Sequence, residues 1–511
     1  LLIFFNSVRL IYMVRPAELL KGGQIGEKMP KTRWILALLG VVTLAGGYIL
    51  ALKADNVLTG LNTFFVAVLL VIVGTFALFT AGSIAFLKML QRNKRYYYKT
   101  NHFISISGMI YRMKQNAASL SLICIMSTGV LLLISSTTSL YVGQEHSLYL
   151  RYPKEFKLSL SLGEVPDDSK TFEKELKEIG TYAEDYLKDN KIATQNAAGQ
   201  TVIEAAALQK DGNVQITSSR NGSSEDFSDL CMVQAITLED YNREAKKDET
   251  LEDREALVFF EDSPIQQETF SINDMHWKVR QLSADSTMED SGLKFYVTPV
   301  YRIVVKDFAQ LQEIWKINKE AYGDHASQVK YEYSFDVDLS EEKIQKLEKS
   351  LNAYLGEQKN APHAFFYGIE TRTEGRAEFY SLYGGLFFLG IFLGLLFVMA
   401  TVLIIYYKQI SEGYEDKERF AILKKIGMER GEINASIRSQ VLMVFFLPLA
   451  AAGIHSCFAF HLVKEILVGG FGLQDVGLLV ICAVLTFLAF AVFYVIVYLI
   501  TAREYYKIVS E

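Results

Sequence analysis

Few residues in this chain could make or break bonds. The seven histidines, His102, His146, His276, His325, His363, His455 and His461, are scattered, and Cys124, Cys231, Cys457 and Cys482 form no Cys-x-x-Cys pair. There is no Gly-x-x-x-x-Gly-Lys-Ser/Thr loop to cradle phosphates and no His-Glu-x-x-His metal motif. No nucleophile is set beside a base, so the sequence offers no catalytic residue and no metal site. Two other places stand out. His455 and Ser456 fall inside an apolar run, after Pro448. An ionisable group there is a functional candidate by default, the alternative being a neutral histidine satisfied within a helix bundle. The second place is the charged stretch Glu415–Ile433, where Phe420 and Leu423, with Ile426, form an apolar stripe. Gly427 suits a helix end, with Lys424 and Lys425 favourably placed in the last turn. Such a stripe reads as a docking surface for a cytoplasmic partner, or as a face packed on its own neighbours.

The elements that position both places are membrane spans. Uncharged runs at 117–142 and 379–407 each exceed the roughly 20 residues that a hydrocarbon core requires. Further spans are expected at 34–52, 61–87, 439–463 and 474–502, and Leu1–Val8 reads as the end of a span already under way, so that residues precede it. The fold class is therefore an α-helical polytopic membrane protein, with six full spans plus one partial, carrying a large extracytoplasmic α+β domain. Residues 1–116 hold the early spans and loops, 117–142 leads out, 143–378 is the outer domain, and 379–511 is a three-span core with a cytoplasmic segment at 408–438. Phe103, Ile106, Ile110 and Met113 recur at helical spacing opposite Ser105, Arg112 and Lys114. They suggest an amphipathic helix on the inner surface, or else an extension of the next span.

Charge fixes the sidedness. Residues 144–378 hold 28 Lys/Arg against 45 Asp/Glu, a net of −17, while the remainder carries +11. Cations gather on the cytoplasmic side of membrane proteins, so the acidic domain faces out. The tract from Lys88 to Lys99, with Tyr96–Tyr98, lies beside a span and reads as headgroup contact rather than nucleic-acid binding. Cys231 is alone in the outer domain, which excludes a disulfide within it.

Within that domain helices are expected at 171–191, 308–322 and 340–355, and strands at 156–160, 257–260, 296–305 and 330–337. Residues 209–228, rich in Gly, Asn, Ser and Asp, read as a loop.

The run Glu418–Met428 resembles the segment that FtsX-like ABC permeases place between two spans to engage their ATPase. The layout of one span, a large outer domain and three spans is similar too. Arg15–Gly22, Ser105–Asn116 and Phe445–Pro448 with His455–Ser456 extend the resemblance to the bacitracin-export (Bce-type) permeases. The resemblance implies ATPase contact by Glu418, Phe420, Leu423, Lys424, Ile426 and Gly427. It implies ATP and Mg bound by a dimeric partner subunit, with no cofactor in this chain. It also implies a bacterial plasma-membrane location and a peptide antibiotic, or its lipid complex, as ligand, with a membrane histidine kinase as a further partner. By the same comparison about three and a half spans precede residue 1. The alternatives are an FtsX-like regulator of cell-wall hydrolases and an ATP-independent membrane receptor or scaffold.

Overall fold

The computed structural model describes residues 33–510 apart from 55–56, 99, 211–212, 219–228, 261–262, 283–297, 359–364 and 426–429. The partial span expected at Leu1–Val8 lies outside the described residues. Among the described residues six helices are long and apolar enough to cross a membrane. The first two, α1 (Trp34–Leu52) and α2 (Val57–Ala77), pack backbone to backbone. A Cβ at Gly47 would stand 2.9 Å from Cγ2 of Val71, and one at Gly74 2.8 Å from the Leu44 nitrogen. Small residues permit this approach between membrane helices, where apolar burial alone gives little drive. A π turn at Leu78–Gly82 passes α2 into α3 (Ser83–Arg92), and the short α4 (Lys94–Tyr97) follows.

The next helix, α5, runs unbroken from Thr100 to Arg151. The separate amphipathic helix expected at 102–115 is therefore not separate: its backbone continues into the span. Ile106, Met109, Ile110 and Met113 are buried in a core shared with the π turn, α3, α4 and the last spans, so protein rather than a membrane surface covers that face.

Four strands and three amphipathic helices fall where expected, and seven further described strands do not announce themselves in sequence. The strand β1 (Phe156–Leu162) buries Phe156, Leu158 and Leu160 on alternate positions. The helix α6 (Ser169–Asp189) starts where Asp168 accepts from the Thr171 N–H at 2.9 Å. Next come β2 (Thr194–Lys210), β3 (Asn213–Gln215), β4 (Leu230–Thr237) and α7 (Leu238–Ala245). So β3 occupies part of the expected loop at 209–228; its Val214 pairs with Ile272 and is buried, which composition alone did not reveal. The chain continues through β5 (Glu255–Phe260), β6 (Ser263–Pro264), β7 (Thr269–Ile272), β8 (Met275–Val279) and β9 (Val300–Val305). It ends with α8 (Phe308–Tyr322), β10 (Lys330–Val337), α9 (Glu341–Gln358) and β11 (Phe365–Thr371).

The eleven strands among the described residues belong to one sheet. The long β2 pairs with β10 along its first half and with β4 and β3 along its second. From β4 the pairing passes through β9, β5, β8, β7 and β3 back to β2. That ring of seven strands removes most of the unpaired edge. Beyond β10 the sheet stays open, as β1 and then β11. The helices α6, α8 and α9 cover it, with Phe172, Leu176, Leu311, Leu351 and Leu355 fully buried beneath them. Burial pushes the Cys231 thiol up to about 12, which leaves it unreactive.

After β11 the chain enters α10 (Arg372–Lys425) without a break, and α11 (Arg430–Glu465) and α12 (Val476–Ser510) complete the spans. The sheet domain is thus Phe156–Thr371, and its two carrier helices overrun the expected boundaries at 143 and 378 by about two turns each.

Phe335 stacks on Phe156 at 4.9 Å between centroids and is fully buried. Phe335→Ala should cost the outer domain about 3–5 kcal/mol. Unfolding followed by the fluorescence of Trp277 and Trp315, both in this core, measures it. A loss under about 1 kcal/mol would contradict the packing described.

Candidate functional site

The antiparallel pair α5 and α10 carries the outer domain at one end, and at the other α10 runs through residues 418–425. Along this pair Tyr141 stacks on Phe387 at 4.8 Å. A Cβ at Gly390 would lie 2.9 Å from that of Thr137, and one at Gly394 2.9 Å from Cγ1 of Ile134. As the α5 number rises the α10 number falls in step, so one register holds over most of the length.

At the outer end the sheet clamps the pair. The strands β1 and β11 are hydrogen-bonded neighbours, and the Arg372 N–H continues their ladder to the Glu155 carbonyl at 2.9 Å. Nε of Arg372 donates to the Tyr152 carbonyl at 2.7 Å and Nη2 to that of Pro153, while the guanidinium stands 3.6 Å from Asp336. Glu155 accepts from the N–H and the hydroxyl of Thr373 at 2.9 and 2.7 Å. A carboxylate there complements the positive end of α10. One turn on, Glu145 accepts from the Tyr380 hydroxyl at 2.7 Å and lies 3.5 Å from Arg376.

At the inner end lies a buried polar cluster. Arg112 and Asn116, one turn apart on α5, meet Asp416 and Glu412, one turn apart on α10. Arg112 donates to Asp416 and, at 3.0 Å, to the Tyr505 oxygen of α12, and Tyr505 donates to Asp416 at 2.6 Å. Asn116 donates to Glu412, whose other oxygen is 3.9 Å from Nη1 of Arg112. The Arg112 side chain is 3 % exposed and both carboxylates 6 %. Removing Arg112 or Asp416 takes from the other its opposite charge away from water, a loss of about 3–5 kcal/mol.

His455 sits where α11 meets α1 and α2. Its Nδ1 is 2.6 Å from the Tyr48 hydroxyl and its Nε2 3.0 Å from Oγ1 of Thr75. Thr75 spends its single proton on the Val71 carbonyl at 2.6 Å. It must therefore accept from Nε2–H, which leaves Nδ1 to accept from Tyr48. Both ring nitrogens of a neutral imidazole are satisfied, and three helices are tied at one ring. Ser456 does not join: its hydroxyl donates to the Ala452 carbonyl of its own helix at 2.9 Å. Pro448 lies inside α11, which continues through it.

Glu418, Phe420, Leu423 and Lys424 lie on the last turns of α10, whereas Ile426 and Gly427 fall outside the described residues. Sequence reading placed Arg112 on a polar helix face but missed its partners Glu412, Asp416 and Tyr505. The available signal was the pair of polar residues four apart on each helix, just beyond an apolar run. Among the described residues no three metal-ligating side chains converge.

Comparison with known proteins agrees with this layout. Residues 387–509 match the FtsX-like permease C-terminal family. The chain is 26 % identical over 484 residues to the ABC transporter permease protein YxdM of Bacillus subtilis, covering 90 % of this chain and 67 % of that one. It is 24 % identical over 512 residues to an uncharacterized ABC transporter permease, YvcS, of the same organism, covering 97 % and 71 %. Identity to the bacitracin export permease protein BceB of Bacillus subtilis is 23 % over 445 residues, covering 85 % and 63 %. The chain thus spans about two thirds of the length of these relatives.

His455→Leu, which orphans the Tyr48 and Thr75 hydroxyls, should destabilise the purified protein by about 1 kcal/mol. Ser456→Ala should cost under about 0.5 kcal/mol. Thermal unfolding in detergent ranks the two, and a larger loss for Ser456→Ala would contradict the knot at His455.

Proposed function

We propose that this chain, which carries an FtsX-like permease domain and is homologous to ABC transporter permeases of Bacillus, is the membrane subunit of a transporter that frees cell-wall targets from peptide antibiotics. ATP and Mg are bound and turned over in a separate, dimeric ATPase. That partner docks on Glu418, Phe420, Leu423, Lys424, Ile426 and Gly427. The observation that carries the reading is the continuity of α10 from Arg372 at the sheet to Lys425 in the docking segment. A helix is stiff over this length, so displacement of its inner end reaches β11 and the outer domain. The acidic outer domain meets the antibiotic, or its complex with a lipid, and a membrane histidine kinase reads the same movement. The work is done at the outer surface and requires no substrate channel through the spans.

The homology to a bacitracin export permease supports the antibiotic class. Two other outcomes would redirect it. Resistance unchanged by a catalytically dead ATPase would indicate a receptor that acts without ATP. Defects in chain separation or lysis with normal antibiotic susceptibility would indicate a regulator of cell-wall hydrolases.

Leu423→Asp puts a charge in the apolar stripe, and co-purification of the ATPase should fall at least tenfold while the permease still elutes as a folded, monodisperse species. Leu423→Met, which keeps the apolar volume, should retain the partner. Association that survives the aspartate would contradict the docking assignment.

A further inference from the structure

We propose that Arg112 is a positioning residue that locks the register of α5 against α10, so that the two helices travel as one body instead of sliding past each other. The role in coupling rests on the function proposed above; the lock itself is a property of this chain.

The apolar middle of the pair does not fix the register. Gly390 and Gly394 are one turn apart, and they receive Thr137 and Ile134. A slip of one turn, about 5.4 Å, returns one of these side chains to a glycine in either direction: Ile134 meets Gly390, or Thr137 meets Gly394. One-turn ratchets of this size are a known mode of helix rearrangement.

The inner cluster opposes both slips. In one direction Arg112 comes opposite Glu412, Asn116 faces the position of Lys408, and Asp416 is carried opposite Gly108, away from Arg112. In the other direction Arg112 comes opposite position 420 and Asn116 faces Asp416. Either way a buried carboxylate or guanidinium loses its partner, and the contact with Tyr505 on the third helix breaks. The present register is the one that satisfies Arg112, Asp416 and Tyr505 together.

Disulfide trapping tests this in the full chain with Cys124, Cys231, Cys457 and Cys482 replaced by alanine. Thr137→Cys with Gly390→Cys reports the present register. The 2.9 Å between their Cβ positions relaxes to the roughly 3.8 Å of a disulfide with a small parting of the helices. Ile134→Cys with Gly390→Cys, and Thr137→Cys with Gly394→Cys, report the two slipped registers. Under mild oxidant, with linked peptides read by mass spectrometry, the first pair should close at least tenfold faster than either slipped pair. Arg112→Ala should raise slipped closure at least tenfold. Arg112→Lys should largely prevent that rise, and the exchange Arg112→Asp with Asp416→Arg should reverse it. Should Arg112→Ala fail to fold, Asp416→Asn keeps the shape, removes the charge and is expected to raise slipped closure likewise. Slipped pairs closing as fast as the present one with Arg112 intact would overturn the lock. So would slipped closure unchanged by loss of the charge in a folded protein. No ATPase is needed, so this result and that of co-purification fail independently.

Discussion

Two helices leave the membrane joined to the same sheet, and the structure depends on their being held in a single register. Burial of charge enforces it at the inner end, where Arg112, Asp416 and Tyr505 are joined to one another away from water. Backbone pairing enforces it at the outer end, where β1 and β11 are adjacent and Arg372 caps the turn between strand and helix. Between these ends the contact is small-residue packing, which brings the backbones close without choosing a position along the axis. The polar groups are thus few, and they sit where they set geometry.

That arrangement explains the form of the outer domain. Its open edge, β10–β1–β11, lies against the carrier helices, while the closed ring of seven strands is built further along the same sheet through β2. A movement of the helix pair enters through β1 and β11 and meets a domain whose core is continuous beneath α6, α8 and α9. The His455 knot, by contrast, ties α11 to α1 and α2 and belongs to the surroundings against which the pair would move.

Local physics was legible in the sequence wherever one face of an element is buried. Alternation predicted β1 and β10, and periodicity after Asp307 predicted α8, whose first turn that carboxylate caps. The strand β2 escaped because Ala205–Ala207 and Gln195–Gln200 have little intrinsic strand preference; pairing with three partners holds it extended. Ring closure is set by such non-local pairing and has no periodic trace. The spans at 117–142 and 379–407 were drawn too short at both ends because hydropathy stops at the lipid boundary while helical hydrogen bonding does not. Glu412 and Asp416 fell within the segment at 408–438 expected to be cytoplasmic, where nothing local marks them as buried. Their partner Arg112 lies 304 residues from Asp416, and only the fold reveals the pairing.

The central claim is that α10 acts as a stiff lever from the docking segment to the sheet. Spin labels at Glu378 and Glu415, both exposed, should stand about 55 Å apart at 1.5 Å per residue. Measured by pulsed electron resonance in the complex with and without ATP, that distance should stay within a few ångströms while labels on α1 shift relative to both. A shortening of 10 Å or more, or a second population on adding ATP, would show that the helix bends or breaks and would contradict the account.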